Sequence, residues 1–147
     1  MNKLDVLFDS GVMACPEART VDGFEMQFGT NHLGHFLLTE LLMPKLRQSA
    51  HRGFNTRIVT VASNAHHKCG HMRWNDLNWK VRGSYDKWRA YHQSKLANVM
   101  HGRYAQYFSF FFRNTSLTFL TLFRTPLVRT LKDIYPGNAL VLCCYFT

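Results

Sequence analysis

The chain has 147 residues, of which 46 % are hydrophobic, and this excludes compositional disorder and fits one domain with a modest core. The net charge of +9 is unevenly spread, because residues 1–40 are acidic and residues 41–147 are strongly basic. A basic segment suits a phosphate-bearing ligand, an anionic membrane surface or nucleic acid. The bases stand singly rather than in clusters, and we therefore expect no nucleic-acid partner.

The first predicted element is a short strand at Leu4–Phe8, in which four of five residues are apolar and which a DSG turn closes. A long helix is expected from about Phe24 to Gln48, because its apolar residues recur at three- and four-residue steps. Thr20 is a candidate cap for this helix. Pro44 is expected to kink it or to end its regular part.

The second predicted strand is Arg57–Ser63, the β-branched run RIVTVAS. Residues 64–88 are polar and irregular, and a loop of this length is usually functional. A helix is expected from about Lys87 to Tyr107, and Leu117–Phe123 is a candidate strand. The alternation of strands and helices predicts an α/β fold with a parallel sheet.

The segment RAYHQSKLAN, residues 89–98, places Tyr91 and Lys95 one helical turn apart on one face. A phenol has an unperturbed pKa of about 10, too high for acid/base work at neutral pH, and a nearby ammonium favours the phenolate. Ser63 ends the second strand, where open α/β sheets build their sites. Taken alone, Tyr-x-x-x-Lys is more often an accidental pair, and Ser63 is equally well placed to cap a turn.

The wider sequence favours the catalytic reading of Tyr91 and Lys95 over the accidental pair. DGFEMQFGTNHLGHFLLTELLMPKL, RIVTVAS and AYHQSKLAN occur in the order and spacing of short-chain dehydrogenase/reductases. The segments NHLGHFLLT, DLNW and YHQSKLAN, with DVLF and SGVMACP, resemble the retinol dehydrogenase-like branch, and the resemblance runs from Leu4 to about Tyr104. It implies an oxidoreductase that interconverts a retinol-like alcohol and a carbonyl with NADP(H).

The same resemblance implies roles for four residues. Asn31 resembles the family's helix asparagine that holds a water in the proton relay, although an ordinary helix-surface amide is the alternative. Ser63 resembles the serine that hydrogen-bonds the reacting oxygen, and Tyr91 resembles the acid/base. Lys95 resembles the lysine that assists the tyrosine and binds the nicotinamide ribose. The implied cofactor-binding residues are Gly11, Asn31, Tyr91 and Lys95.

The sequence also departs from the family. The 147 residues contain no TGxxxGxG turn, whose backbone amides approach the cofactor pyrophosphate in the family. The family's NNAG after the fourth strand reads DSG here, and Asp9 replaces an amide with a carboxylate that repels phosphate. TPLVRT, Thr125–Thr130, and YPG, Tyr135–Gly137, are weak counterparts of the family's PG turn near the nicotinamide.

We therefore expect a partial Rossmann-like parallel sheet that lacks the N-terminal cofactor-binding βαβ unit. Residues 1–107 are expected to form a partial short-chain dehydrogenase domain, and residues 108–147 a divergent tail with no clear domain. The chain resembles an interior piece of a dehydrogenase, and we expect little or no activity from it alone.

Other features leave alternatives open. A zinc site is conceivable at four clustered residues, but their spacing fits no standard site and we expect no metal: His66, His67, Cys69 and His71. The three tryptophans either line a pocket for a small hydrophobic alcohol or aldehyde or pack the loop onto the sheet: Trp74, Trp79 and Trp88. The cysteines, without CxxC spacing, are read as reduced thiols of an intracellular protein: Cys15, Cys69, Cys143 and Cys144.

Two further functions stay open besides the enzyme. The first is a non-catalytic fragment whose Phe24–Gln48 helix forms a homo- or heterodimer, since that helix helps to build the dimer interface in the family. The second is a basic module on anionic surfaces, which includes peripheral membrane contact. No signal peptide or membrane-spanning run is visible, and we expect a cytoplasmic or membrane-peripheral location.

Overall fold

The structure is a computed structural model that describes residues 6–9, 11–49, 56–111, 117–122 and 139–142. Its centre is a sheet of four parallel strands in the order β3-β2-β1-β4. In chain order they are β1 Val6–Asp9, β2 Thr56–Val61, β3 Leu117–Leu122 and β4 Ala139–Leu142. The α/β class and the parallel pairing of the strands are confirmed, and the first two strands are neighbours.

One helical run follows β1, and it is built from three consecutive parts: α1 Met26–Phe28, a π-helical turn at Gly29–Leu33, and α2 Gly34–Ser49. The cap is Glu25 rather than Thr20, because the Glu25 carboxylate accepts hydrogen bonds from the backbone N–H groups of Gln27 at 2.9 Å and Phe28 at 2.6 Å. Helix α2 continues through Pro44, so that this proline does not end it.

The loop after β2 contains two short 3₁₀ helices, Asn64–Lys68 and Trp74–Asp76. Helix α3 then spans Lys87–Phe111 and ends beyond the expected Tyr107. The extension is reasonable because no proline occurs between Tyr107 and Phe111 to stop the helix.

Helices α2 and α3 cover the same face of the sheet. Leu46 of α2 and Ile58 of β2 form one buried cluster, and Ala105 of α3 packs against it. A second cluster joins Phe28 of α1 to Ala97 of α3. The two helices are therefore held side by side above β2, and this places the tyrosine-lysine face of α3 near the end of that strand.

Strands β3 and β4 both come from residues 108–147, the segment for which we expected no clear domain. The candidate strand Leu117–Phe123 is confirmed by β3, which pairs with β2. Strand β4 had no recognisable period, and it pairs in parallel with β1, with Val6 beside Ala139 and Asp9 beside Leu142. The proposed division at residue 107 stays a prediction, although strands from both sides of it share this sheet.

Several expectations fall outside the described residues: those for Thr125–Thr130, Tyr135–Gly137, Cys143, Cys144 and the side chain of Asp9. Within the described part of the chain, no helix is both long and apolar enough to cross a membrane.

Candidate active site

The candidate site lies at the carboxyl edge of the sheet. The register sets Asp9, the last residue of β1, beside Thr60 of β2, so that the two strands end together. Gly11 follows β1 by two residues and Ser63 follows β2 by two residues. Open α/β sheets bind their ligands at this edge, and the predicted site residues from both strand ends are therefore on the same side of the molecule.

Tyr91 and Lys95 are both buried on α3, and the Lys95 Nζ atom lies 5.7 Å from the centroid of the Tyr91 ring. The prediction that they share one helix face is confirmed. The Lys95 ammonium donates a hydrogen bond to the carbonyl oxygen of Val61 at 2.9 Å. Because Val61 is the last residue of β2, this bond ties the tyrosine-lysine pair to the strand end that leads to Ser63.

The Val61 carbonyl accepts a second hydrogen bond, from the Asn98 side-chain amide at 3.2 Å. The side-chain oxygen Oδ1 of Asn98 is in turn 3.1 Å from Nδ1 of His32 in the π-helical turn. Asn98 was missed from the sequence as a site residue. The signal was present, because Asn98 lies three residues after Lys95, on the same helix face.

Ser63 has an extended backbone, and its Oγ accepts a hydrogen bond from the backbone N–H of Ala65 at 3.2 Å. It therefore caps the first 3₁₀ helix, which was the alternative reading of this residue. A hydroxyl that accepts a hydrogen bond keeps its own proton for donation. The 3₁₀ helix packs against α3, the helix that carries Tyr91. The role of Ser63 toward a substrate oxygen stays a prediction.

Asn31 lies in the π-helical turn and is 0 % exposed, so the reading as a helix-surface amide is wrong. Its Oδ1 accepts from the backbone N–H of Val12 at 2.7 Å. Its Nδ2 donates to the carbonyl of Val12 at 2.8 Å and to Oγ of Ser94 at 2.9 Å. Both amide protons are used, so that the side chain holds the loop after β1 against α3. The water-holding role of Asn31 stays a prediction.

Ser94 is the link between the loop after β1 and the tyrosine. Its hydroxyl donates to the backbone carbonyl of Tyr91 at 2.8 Å while it accepts from Asn31. A continuous series of hydrogen bonds therefore connects the loop after β1 to the first turns of α3. It runs through Val12, Asn31, Ser94 and Tyr91. Ser94 was missed from the sequence as a site residue.

A second polar network, also missed from the sequence, supports the same loop. The Gln27 carbonyl oxygen accepts from Ala14 N at 2.7 Å, and its amide donates to Tyr85 Oη at 3.1 Å and to Lys87 O at 2.8 Å. The Tyr85 hydroxyl donates to Cys15 O at 3.0 Å. Burial raises the pKa of Tyr85 to about 12, which keeps the phenol protonated as a donor. No periodic pattern marks these residues, because isolated polar side chains normally indicate surface.

The three tryptophans have different environments. Trp74 is 66 % exposed and lines an open apolar cavity of about 280 Å³ between the π-helical turn and α3. Trp79 is 1 % exposed, with the Arg73 guanidinium 4.1 Å from its ring centroid, so that it packs the loop. Trp88 is half exposed. Trp79 therefore packs the loop, as one of the two readings expected, whereas the use of the cavity beside Trp74 for a substrate stays a prediction.

A metal site is not formed by the described residues, since no three His, Cys, Asp or Glu side chains among them lie close enough to bind an ion. Cys15 and Cys69 are free thiols. Burial raises the pKa of both thiols, which keeps them in the less reactive protonated form.

The residues fit only one end of a dinucleotide. Tyr91 and Lys95 are of the types that would hold a nicotinamide ribose. The pyrophosphate end has no partner of the required kind in the sequence, because a TGxxxGxG turn does not occur in the 147 residues. The outer edge of β1 is paired with β4. A complete NADP(H) site is therefore not formed by the described residues.

Comparison with known proteins finds relatives for about two thirds of the chain. No protein-family model matches. Human retinol dehydrogenase 13 is 52 % identical over 99 residues, which are 67 % of this chain and 28 % of that protein. Mouse retinol dehydrogenase 14 is 50 % identical over 102 residues, 69 % of this chain and 28 % of that protein. The aligned part thus spans little more than a quarter of these curated relatives.

Solved structures agree in fold. An uncharacterized protein from Mycobacterium paratuberculosis is 43 % identical with a TM-score of 0.68, over 82 % of this chain and 41 % of that one. The RhlG/NADP complex of Pseudomonas aeruginosa is 18 % identical with a TM-score of 0.55, over 90 % and 46 % of the two chains, and it shows the fold alone. From the site residues, the sheet and these relatives, the chain belongs to the short-chain dehydrogenase/reductase family, in its retinol dehydrogenase-like branch.

Proposed function

We propose that this chain carries the proton-transfer part of a short-chain dehydrogenase/reductase that interconverts a hydrophobic, retinol-like alcohol and its carbonyl with NADP(H). The observation that carries the proposal is the position of Lys95, whose ammonium bonds the end of β2 and lies 5.7 Å from the Tyr91 ring. Tyr91 is the acid/base, the Lys95 ammonium supplies a positive charge beside the Tyr91 phenol, and Ser63 orients the substrate oxygen. Asn31 is the fourth residue of the proposed site, and its side chain holds the loop after β1 against α3.

Two comparisons support the substrate and the cofactor. The curated relatives are named retinol dehydrogenases, which favours a small hydrophobic alcohol or aldehyde. One structural neighbour is an NADP complex. The basic half of the sequence is compatible with a phosphate-bearing cofactor.

We further propose that residues 1–147 alone have little or no dehydrogenase activity. Tyr91 and Lys95 address only the proton, whereas positioning of a cofactor against the substrate supplies much of an enzyme's rate advantage. The 147 residues contain no TGxxxGxG turn that would bind the cofactor pyrophosphate. Loss of several anchoring contacts, each worth about 1–3 kcal/mol, weakens cofactor binding by orders of magnitude.

The test is a titration of the purified chain with NADPH, followed by cofactor fluorescence, and an assay with retinal-like and aliphatic aldehydes. We expect neither saturable binding nor turnover above background. Tyr91→Phe removes the proposed acid/base, and Tyr107→Phe on the exposed part of α3 is the matched control. Turnover that Tyr91→Phe abolishes and Tyr107→Phe leaves intact would refute the low-activity proposal and support the catalytic roles.

A second candidate function is a non-catalytic fragment that forms a homo- or heterodimer through its helices. Exposed apolar side chains on α2 favour it: Leu37 is 59 % exposed and Leu41 is 69 % exposed. Sedimentation velocity of wild type and Leu41→Glu tests the idea, with the similarly exposed loop residue Val81 changed to Glu as control. A dimer that only Leu41→Glu dissociates supports this function, and a monomeric wild type contradicts the homodimer. Cytoplasmic or membrane-peripheral location stays a prediction.

A further inference from the structure

Strand β4, the last of the described strands, occupies the sheet edge next to β1, the first of them. Four consecutive residues pair in parallel, from Val6 beside Ala139 to Asp9 beside Leu142. The other side of β1 is taken by β2. Among the described strands, β1 is therefore central because β4, near the end of the sequence, pairs with its second edge.

The place of β4 is meaningful in a doubly wound sheet. In the order 3-2-1-4-5-6 of dinucleotide-binding folds, the first strand carries the phosphate turn and lies beside the fourth. Strands β1, β2 and β3 of this chain are consecutive parallel neighbours that step in one direction, as strands 4, 5 and 6 do in that order. The edge of β1 that faces away from β2 then corresponds to the place of the phosphate-binding first strand, and β4 holds it.

We propose that β4 is an autoinhibitory strand that competes with a phosphate-binding strand for the edge of β1. One edge of a strand offers a single row of N–H and C=O groups, so that it pairs with one strand at a time. The preferred competitor is a parallel strand that ends in a Gly-rich turn, in a longer polypeptide or in a partner. The inference goes beyond the proposed chemistry, because it concerns which strand can complete the sheet.

The sequence of β4 shows why its occupancy is inhibitory. Its residues read ALVL, and residues 143–147 contain no glycine. The backbone of a phosphate turn must approach the pyrophosphate closely, which glycine permits. Strand β4 thus pairs with β1 at this edge, and the printed sequence after it lacks the glycine pattern of a phosphate turn.

Hydrogen exchange of the four β1 amides tests the pairing. Successive N–H groups of a central strand point to opposite neighbours, so that alternate amides in Val6–Asp9 face β2 and β4. Of two successive residues in β4, one directs its N–H toward β1. The double variant Leu140→Pro/Val141→Pro therefore removes that N–H group, whichever of the two residues carries it. We expect the β4-facing amides of β1 to exchange at least about tenfold faster, while the β2-facing amides stay protected.

A truncation after Asn138 provides a second variant if the proline variant does not fold, and protection of the α3 amides reports folding in both. The matched control is Thr118→Pro/Phe119→Pro in β3 at the opposite edge, which should deprotect β2 and leave the β4-facing amides of β1 protected. Unchanged exchange of the β1 amides in both folded tail variants would overturn the proposal.

Competition is tested with two synthetic peptides. One is NALVL, residues 138–142 of this chain, and the other is a designed peptide in which a β-branched strand is followed by a TGxxxGxG turn. We expect both to restore β1 protection in a tail variant, and the strand-turn peptide to leave the wild type unchanged at the same concentration. Binding of that peptide to wild type and tail variant with equal affinity, or to neither, would refute the competition. These readouts need no activity, so the proposed chemistry is tested separately.

Discussion

Gly11 and Asn31 pack against each other so closely that a side chain on Gly11 has no room. A Cβ atom built on Gly11 would lie 2.6 Å from Cγ of Asn31 and closer still to its Oδ1 atom. The carboxamide reaches Val12 because the residue before it is glycine. A position that the family resemblance assigns to the cofactor thus has a packing reason of its own for being glycine.

Gly11→Ala should destabilise the protein by about 1–3 kcal/mol, because the new methyl group forces the Asn31 carboxamide away from Val12. Gly34→Ala is the control: its Cβ would be 3.4 Å from the nearest atom, and Gly34 has a helical φ of −61°. That change should be neutral or stabilise by about 0.5–1 kcal/mol. Urea unfolding measures both, and equal stabilities of the two variants would contradict the clash.

Asn31→Ala should cost about 2–3 kcal/mol, because it leaves both backbone polar groups of the buried Val12 without their partner. Ser94→Ala should couple to it, since Ser94 Oγ lies 2.9 Å from Asn31 Nδ2. A double-mutant cycle in urea should give a coupling energy of at least about 0.5 kcal/mol. Thr30→Ala, the neighbouring control, should add independently of Ser94→Ala. Additive behaviour of Asn31→Ala and Ser94→Ala would exclude the linked network.

The buried histidines should make the fold sensitive to acid. Burial, and secondarily His32, lowers the pKa of His101 from 6.5 to about 4, and burial lowers the pKa values of His32 and His35 as well. Between pH 6.5 and about 4 the unfolded chain binds protons that the folded chain does not bind. The free energy of unfolding should therefore fall as the pH falls through this window.

His101→Gln should reduce the slope of stability against pH in that window, measured by urea unfolding at several pH values. The absolute stability of this variant will also drop because the His101 ring packs 4.9 Å from that of Phe36, so that the slope is the informative quantity. The exposed His71, changed to Gln, is the control and should leave the slope unchanged. An identical slope in wild type and His101→Gln would disprove the assignment.

Trp79 should dominate the fluorescence change on unfolding. It is 1 % exposed, whereas Trp74 and Trp88 are 66 % and 48 % exposed, so mainly Trp79 passes from a dry to an aqueous environment. Trp79→Phe should remove most of the red shift of emission that accompanies unfolding, and Trp88→Phe should retain it. Trp79→Ala should cost about 3–5 kcal/mol through the cavity it leaves. A full red shift in Trp79→Phe would show that the loop is not packed as described.

The sequence by itself determined the strands and helices whose apolar patterns are regular. The β-branched run RIVTVAS predicted β2, and apolar residues at three- and four-residue steps predicted the helical run Met26–Ser49. The four-residue spacing of Tyr91 and Lys95 predicted that both lie on one face of α3. These features depend on neighbours within a few residues, which periodicity records directly. Four separated motifs also identified the family.

Only the tertiary structure decided what lies between distant segments. The bonds of Asn31 to Val12 and Ser94 span 19 and 63 residues, and the bond of Lys95 to Val61 spans 34. The pairing of β4 with β1 joins the two ends of the chain. A short apolar segment such as ALVL carries no record of its partner, because the backbone groups that pair in a sheet are the same in every residue except proline. The choice of neighbour is made by the packing of the whole sheet.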